Sequence, residues 1–241
     1  MGTPTPGISA AHDPGPDPRG GIPPEPWFLG GDLRLSTWLV PVADLPPQVR
    51  EVPPGWRLLR LGRFAVVGAV VAHYAPGGVL AYEELLVALP VRRGARLRIT
   101  IPQIWVTTTP ARDGGRHLWS IPKELADITR EAAPSGSMRV RVWRDGVRLA
   151  SLAARPARRR LPGTWTLPLP TIQVLDGVRV AATNRVTARL RPLRTRWRFA
   201  GPLAFLDGRR PAFSLMLDEA AITFGRNVAR HVSPHITQED A

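Results

Sequence analysis

Along most of the chain, apolar positions recur with period two between clusters of turn-forming residues, the pattern of β-strands rather than helices. Leu33 to Val42 reads as a first strand. Phe64 to Tyr74 is a nearly continuous apolar run, suited to a buried strand, and Pro76-Gly77-Gly78 turns it. Val79 to Val91 and Arg96 to Thr108 follow as strands, and Arg139-Val140-Arg141-Val142-Trp143 shows the strict alternation of a half-buried one. Asp145-Gly146 and Asp176-Gly177 each lie between alternating segments and predict two tight hairpins. Val178 to Phe199 is long and alternating, with an interruption expected near Pro192, and Phe213 to Phe224 reads as a closing strand.

Helices are scarce. Asp44-Leu45-Pro46-Pro47 predicts a short helix with Asp44 as its cap and prolines in its first turn, ended by Pro53-Pro54-Gly55. A second helix is predicted from Pro122 toward Glu131, with Ser120 or Ile121 at its cap position. Many strands at short spacing and few helices predict a mainly β fold, α+β at most, built as an antiparallel barrel or sandwich. Residues 1–26 are rich in proline and glycine and lack apolar periodicity, so they read as a disordered tail. One folded domain is expected over residues 27–230, with a flexible C-terminal tail over 231–241.

Composition narrows the chemistry. The 241 residues include no cysteine, which removes disulfides, thiolate metal sites and a cysteine nucleophile. The longest apolar run, Phe64 to Ala72, is far too short to cross a membrane, and the N-terminus lacks a basic start followed by an apolar block. A cytoplasmic location is the expectation, with no membrane partner. The net charge of +14 comes from arginines spread along the chain without a zinc-finger, RNP or helix-turn-helix pattern, so no nucleic-acid partner is expected. His231 and His235 are four apart but carry no metal-site pattern, and no glycine loop of the phosphate-binding type occurs; neither metal nor cofactor is expected.

Of the 33 basic residues other than histidine, only Lys123 is a lysine. Arginine stays protonated, whereas a buried lysine can lose its proton and act as a nucleophile. On the predicted helix, Lys123 occupies the first turn, where the dipole and the apolar neighbours Leu118, Trp119 and Ile121 disfavour an ammonium. Strand alternation puts Tyr82 and Glu84 on one face and Glu83 on the other.

The segment Gly115-Arg116-His117-Leu118-Trp119-Ser120-Ile121-Pro122-Lys123-Glu124-Leu125, together with Tyr82-Glu83-Glu84, resembles the active-site motifs of the acetoacetate decarboxylase family. The resemblance implies a single-domain antiparallel β barrel or cone with a few short helices, and a homo-oligomer. It makes Lys123 the Schiff-base lysine and Glu84 the active-site glutamate. It places Arg34 on the substrate carboxylate, Arg116 as the motif arginine, and Tyr82 and Trp119 against the substrate. The implied activity is a cofactor-independent lyase acting on a β-keto or related oxo acid. An aldolase- or dehydratase-type Schiff-base enzyme on another oxo acid, and a non-catalytic ligand-binding barrel, stand as alternatives. Two positions depart from the family pattern: Glu124 stands where decarboxylases carry a second lysine, and Phe64 to Tyr74 contains no acid.

Overall fold

The computed structural model describes residues 21–232. Most of the expected N-terminal tail (1–20), the chain after residue 232 and with it His235 lie outside the described residues. Strand β1 (Trp27–Pro41) runs into a 3-10 turn (Val42–Asp44) and a short helix, α1 (Pro47–Arg50). Two short strands, β2 (Arg57–Leu58) and β3 (Arg60–Leu61), precede the long β4 (Phe64–Tyr74), β5 (Tyr82–Arg93) and β6 (Arg96–Val106). Helix α2 (Thr109–Trp119) leads to β7 (Lys123–Leu125) and β8 (Asp127–Ala132). Next come β9 (Met138–Arg144), β10 (Val147–Pro156), β11 (Trp165–Pro168) and β12 (Thr171–Leu175). The long β13 (Val178–Phe199) and β14 (Phe213–Val232) complete the fold, joined by a second 3-10 turn.

The strands form one mainly antiparallel sheet in the order β12-β6-β5-β4-β1-β14-β13-β10-β9-β8. β12 also pairs with β13, and a single parallel pair, Thr171 with Ile99, joins it to β6. Seven strands thereby make a closed circuit, β6-β5-β4-β1-β14-β13-β12. Pro192 does not interrupt β13: up to Pro192 the strand pairs with β14, and from Leu193 onward with β10. This one strand ties the circuit to the β8–β10 arm. Both Asp-Gly turns form as expected, with Asp145, Gly146, Asp176 and Gly177 all at positive φ, as the type I′ hairpin requires.

Two apolar cores result. Alternate side chains of the circuit point inward, including Leu29, Tyr74 and Ile104, and Trp119 of α2 packs among them. Their neighbours on β1, β4 and β5, such as Trp38, Val67 and Leu85, face outward and pack with Leu152 of the arm and with Trp197 and Phe199 at the end of β13. β1 is therefore buried on both faces.

Both helix expectations need correction. Asp44 is no cap: α1 begins after Pro46 without a side-chain cap, and Asp44 ends the 3-10 turn and pairs with Arg209 at 2.7 Å. The helix expected over Pro122 to Glu131 is absent; that stretch forms β7 and β8, and α2 lies immediately before it. Ser120 ends α2 in the left-handed conformation (φ 53°), its N–H donating to the Arg116 carbonyl and that of Ile121 to the Gly115 carbonyl. Pro122 cannot continue the helix pattern, so it marks a stop rather than a start.

The circuit brings β1 close to β4. A Cβ on Gly31 would overlap the His73 carbonyl group, whose carbon would lie 2.9 Å away, whereas a Cβ on Gly30 would meet only the Ala220 oxygen at 3.9 Å. Gly31→Ala is expected to destabilise the fold by about 3 kcal/mol and lower its melting temperature by roughly 6–12 °C. Gly30→Ala should change the melting temperature by no more than roughly 2 °C. Equal shifts in thermal melts would contradict this packing.

Candidate active site

Lys123 reaches the circuit's interior because α2 is trimmed to let it pass. Gly114 and Gly115 leave the inner face of α2 bare: a Cβ on Gly114 would strike the Trp27 ring, and one on Gly115 would lie 2.5 Å from Lys123 Cδ and 2.7 Å from Cε. The lysine stem thus lies directly on the helix backbone. The left-handed Ser120 turns the chain, β7 pairs Lys123 with Ile104 in parallel, and Arg116 Nη1 donates to the Lys123 carbonyl at 3.3 Å. Lys123 follows the C-terminal end of α2 and opens β7, rather than lying in the first turn of a helix as expected.

The lysine side chain is only 5% exposed. Its Nζ donates to Glu84 Oε2 at 2.8 Å and to the Tyr82 hydroxyl at 3.3 Å. Tyr74 donates its hydroxyl to the other carboxylate oxygen, Glu84 Oε1, at 3.1 Å. Tyr74 and Tyr82 pair across β4 and β5 with ring centroids 4.6 Å apart. Burial first, and then the charge of Glu84, push both phenols well above their ordinary value. Glu83, on the opposite face of β5, pairs instead with His73 at 2.6 Å.

These polar groups border a cavity of about 240 Å³ inside the circuit, walled by side chains such as Leu33, Leu86, Ile101, Val186, Leu217 and Phe224. Trp119 forms part of the wall, held edge-on to Trp27 at 4.8 Å, and its Nε1 donates to Glu25 Oε2 at 3.0 Å. Two further polar side chains on the wall are committed to each other and to backbone: Asn184 Nδ2 donates to Thr171 Oγ1 and to the Leu169 carbonyl, and Asn184 Oδ1 accepts from Gly225 N–H. Among the described residues lining the cavity, Glu84 and Lys123 are the only charged ones.

Lys123, Glu84, Tyr82 and Trp119 are thus brought together. Two expected site residues are not. Arg34 lies on the face of β1 opposite the cavity-lining Leu33 and Leu35, where it pairs with Asp32, an acid shared with Arg130. Burial, and then the charge of Arg130, lower its guanidinium to about 10. Arg116 stays outside the cavity and holds the Lys123 backbone. Glu124, next to the lysine in sequence, alternates outward on β7 and pairs with Arg144. Sequence reasoning missed Tyr74 altogether, although a signal existed: the chain has two tyrosines, and one bonds to the lysine and the other to its partner Glu84. No cluster of three or more metal-ligating side chains occurs among the described residues, and none of their helices is long and apolar enough to cross a membrane.

Solved structures with the same fold include the enduracididine biosynthesis enzyme MppR complexed with pyruvate (18% identity, TM-score 0.67, 87% of this chain and 93% of that one). An acetoacetate decarboxylase from Legionella pneumophila is similar at 15% identity and TM-score 0.67, over 94% of this chain and 100% of that one. An acetoacetate decarboxylase-like enzyme from Sphingomonas wittichii RW1 is similar at 14% identity and TM-score 0.59, over 94% and 100%. No curated protein matches the sequence significantly. At these identities the structural likeness establishes the fold, and the sequence establishes the family. The profile of the acetoacetate decarboxylase family matches residues 27–197, well over half of the chain, and the protein therefore belongs to the acetoacetate decarboxylase family.

Proposed function

We propose that this protein is a cofactor-independent carbon–carbon lyase that forms a Schiff base between Lys123 and a 3-oxo (β-keto) acid and releases the carboxylate as carbon dioxide. The observation that carries this reading is the buried pair of Lys123 Nζ and Glu84 Oε2, 2.8 Å apart at the wall of an otherwise apolar cavity. A proton crossing that bond frees the amine and leaves the net charge of the cavity unchanged. The amine adds to the keto carbon, and the carbinolamine loses its hydroxyl as water, protonated by Glu84. The resulting iminium cation faces the carboxylate of Glu84. The bond to the substrate carboxylate breaks with its electron pair flowing into the iminium, giving an enamine and carbon dioxide. One proton from solvent, relayed through Glu84, protonates the enamine carbon. Hydrolysis of the new iminium returns the ketone and the lysine ammonium.

Tyr82 and Tyr74 position the two ends of this relay, one on the nitrogen and one on the carboxylate. A substrate carboxylate inside the cavity has no cationic partner except the iminium, because Arg34 faces away and no arginine or histidine is among the described lining residues. That favours an acid that sheds its charge as carbon dioxide over one that keeps it. A second reading, an aldolase- or dehydratase-type step on a 2-oxo acid, is favoured by the likeness to MppR bound to pyruvate; it leaves a retained carboxylate without a partner.

Borohydride added with acetoacetate is expected to leave a stable adduct on Lys123, read by peptide mass spectrometry. Lys123→Arg should abolish the adduct and lower turnover by roughly 10⁴-fold or more while preserving the fold; an undiminished rate in that variant would sink the Schiff-base reading. Gly115→Ala displaces the lysine stem and should slow adduct formation by roughly 100-fold, in line with the effect of a misplacement near 1 Å. An unchanged rate would mean that the close approach has no catalytic consequence. The two phenols, raised by burial and by Glu84, should show no tyrosinate absorbance below pH 10 in the folded protein. Their contribution to stability is complete below that pH and is lost as pH rises through the raised values, so the tyrosinate signal should appear together with unfolding. A reversible tyrosinate titration in the folded protein below pH 10 would contradict the buried network.

A further inference from the structure

The charged and phenolic groups of the cavity gather at one end. Tyr82 and Glu84 lie at the start of β5, Tyr74 pairs with Tyr82, and Lys123 pairs with Ile104 near the end of β6. Moving along the strands away from them, the inward positions become Leu86 and Ala88 on β5, Val70 on β4 and Leu35 on β1. From Glu84 to Ala88 the strand advances roughly 13 Å. Leu35, Val70, Leu86 and Ala88 carry no hydrogen-bonding group, and the polar side chains nearest this end, Asn184 and Thr171, are bonded to each other, with Asn184 also bonded to backbone. An apolar space of this kind favours hydrocarbon over any polar substituent, which would lose its water without gaining a partner.

We infer that the cavity selects carbonyl substrates bearing a non-polar tail of about four carbons, held by the Leu35–Val70–Ala88 end while the carbonyl meets Lys123. The size follows from the volume. A cavity of about 150 Å³ accommodates benzene, and by the same ratio 240 Å³ holds about ten non-hydrogen atoms. A 3-oxo acid with a butyl group on its keto carbon has that many. Acetoacetate itself leaves the far end unfilled. The inference rests on the Schiff-base reading only for the position of the carbonyl; the preference for an apolar tail follows from the walls.

The two can be separated by experiment. Borohydride trapping on the intact protein, with acetone, methyl butyl ketone and methyl nonyl ketone, should give half-maximal labelling of Lys123 at concentrations that fall roughly fourfold per added methylene up to the butyl compound. The nonyl ketone should gain nothing further. The matching secondary alcohols cannot form a Schiff base, and they should raise the melting temperature with the same length dependence. Ala88→Phe, which fills the far end, should reduce the preference for the butyl over the methyl ketone by at least roughly tenfold; Val70→Phe serves the same purpose if that variant does not fold. Labelling by acetone that does not improve with tail length, together with alcohols that stabilise equally at every length, would overturn the inference and leave the Schiff base standing. Length-dependent stabilisation by the alcohols without any ketone adduct would uphold the apolar-tail site and refute the Schiff base.

Discussion

A buried ammonium–carboxylate pair is the constraint on which the site depends. Either Lys123 or Glu84 alone would be costly inside a cavity walled by leucine, isoleucine and valine, and each is tolerated there because the other lies 2.8 Å away. The surrounding structure holds that distance. Gly115 lets the lysine stem lie on α2, Ser120 takes a left-handed conformation to turn the chain, and Arg116 anchors the lysine carbonyl from outside. Tyr82 accepts a second hydrogen bond from the lysine, and Tyr74 donates to the other oxygen of the carboxylate.

The two-faced strands explain how an apolar cavity and a charged exterior coexist. β1 presents Leu33 and Leu35 to the cavity and Arg34, Ser36 and Trp38 to the opposite side. On that opposite side Ser36 hydrogen-bonds Ser214 at 2.7 Å and accepts from Trp197 Nε1 at 2.9 Å, while Arg34 pairs with Asp32. The arginines among the described residues thus stay out of the cavity. The single lysine is the basic residue that enters it, and it differs from arginine in the ability to give up its proton.

Much of this was legible in the sequence. β4 and β13 begin and end where their patterns do, both Asp-Gly hairpins form, and the alternation around Tyr82 and Glu84 sorted the inward residues from Glu83. The errors have physical causes. Because β1 is buried on both faces, its alternation alone does not reveal which face borders the cavity; the resemblance implies Arg34 at the substrate, and its side chain lies on the opposite face, beside Asp32. The helix was displaced because proline serves both helix starts and helix stops, while Gly114-Gly115, which packing requires on α2, argues against a helix on propensity alone. The direction of Glu124 depends on which element holds Lys123: on β7 the period of two turns it to the face opposite the lysine, where it pairs with Arg144.

The central claim is that the carbonyl carbon of the substrate becomes bonded to Lys123 during turnover. Turnover of a 3-oxo acid in water enriched in heavy oxygen tests it most directly, since release from a Schiff base must take the ketone oxygen from solvent. Every ketone molecule formed, after correction for spontaneous exchange, is expected to carry the solvent's oxygen from the first turnover. A ketone that retains the oxygen of the substrate would contradict the account.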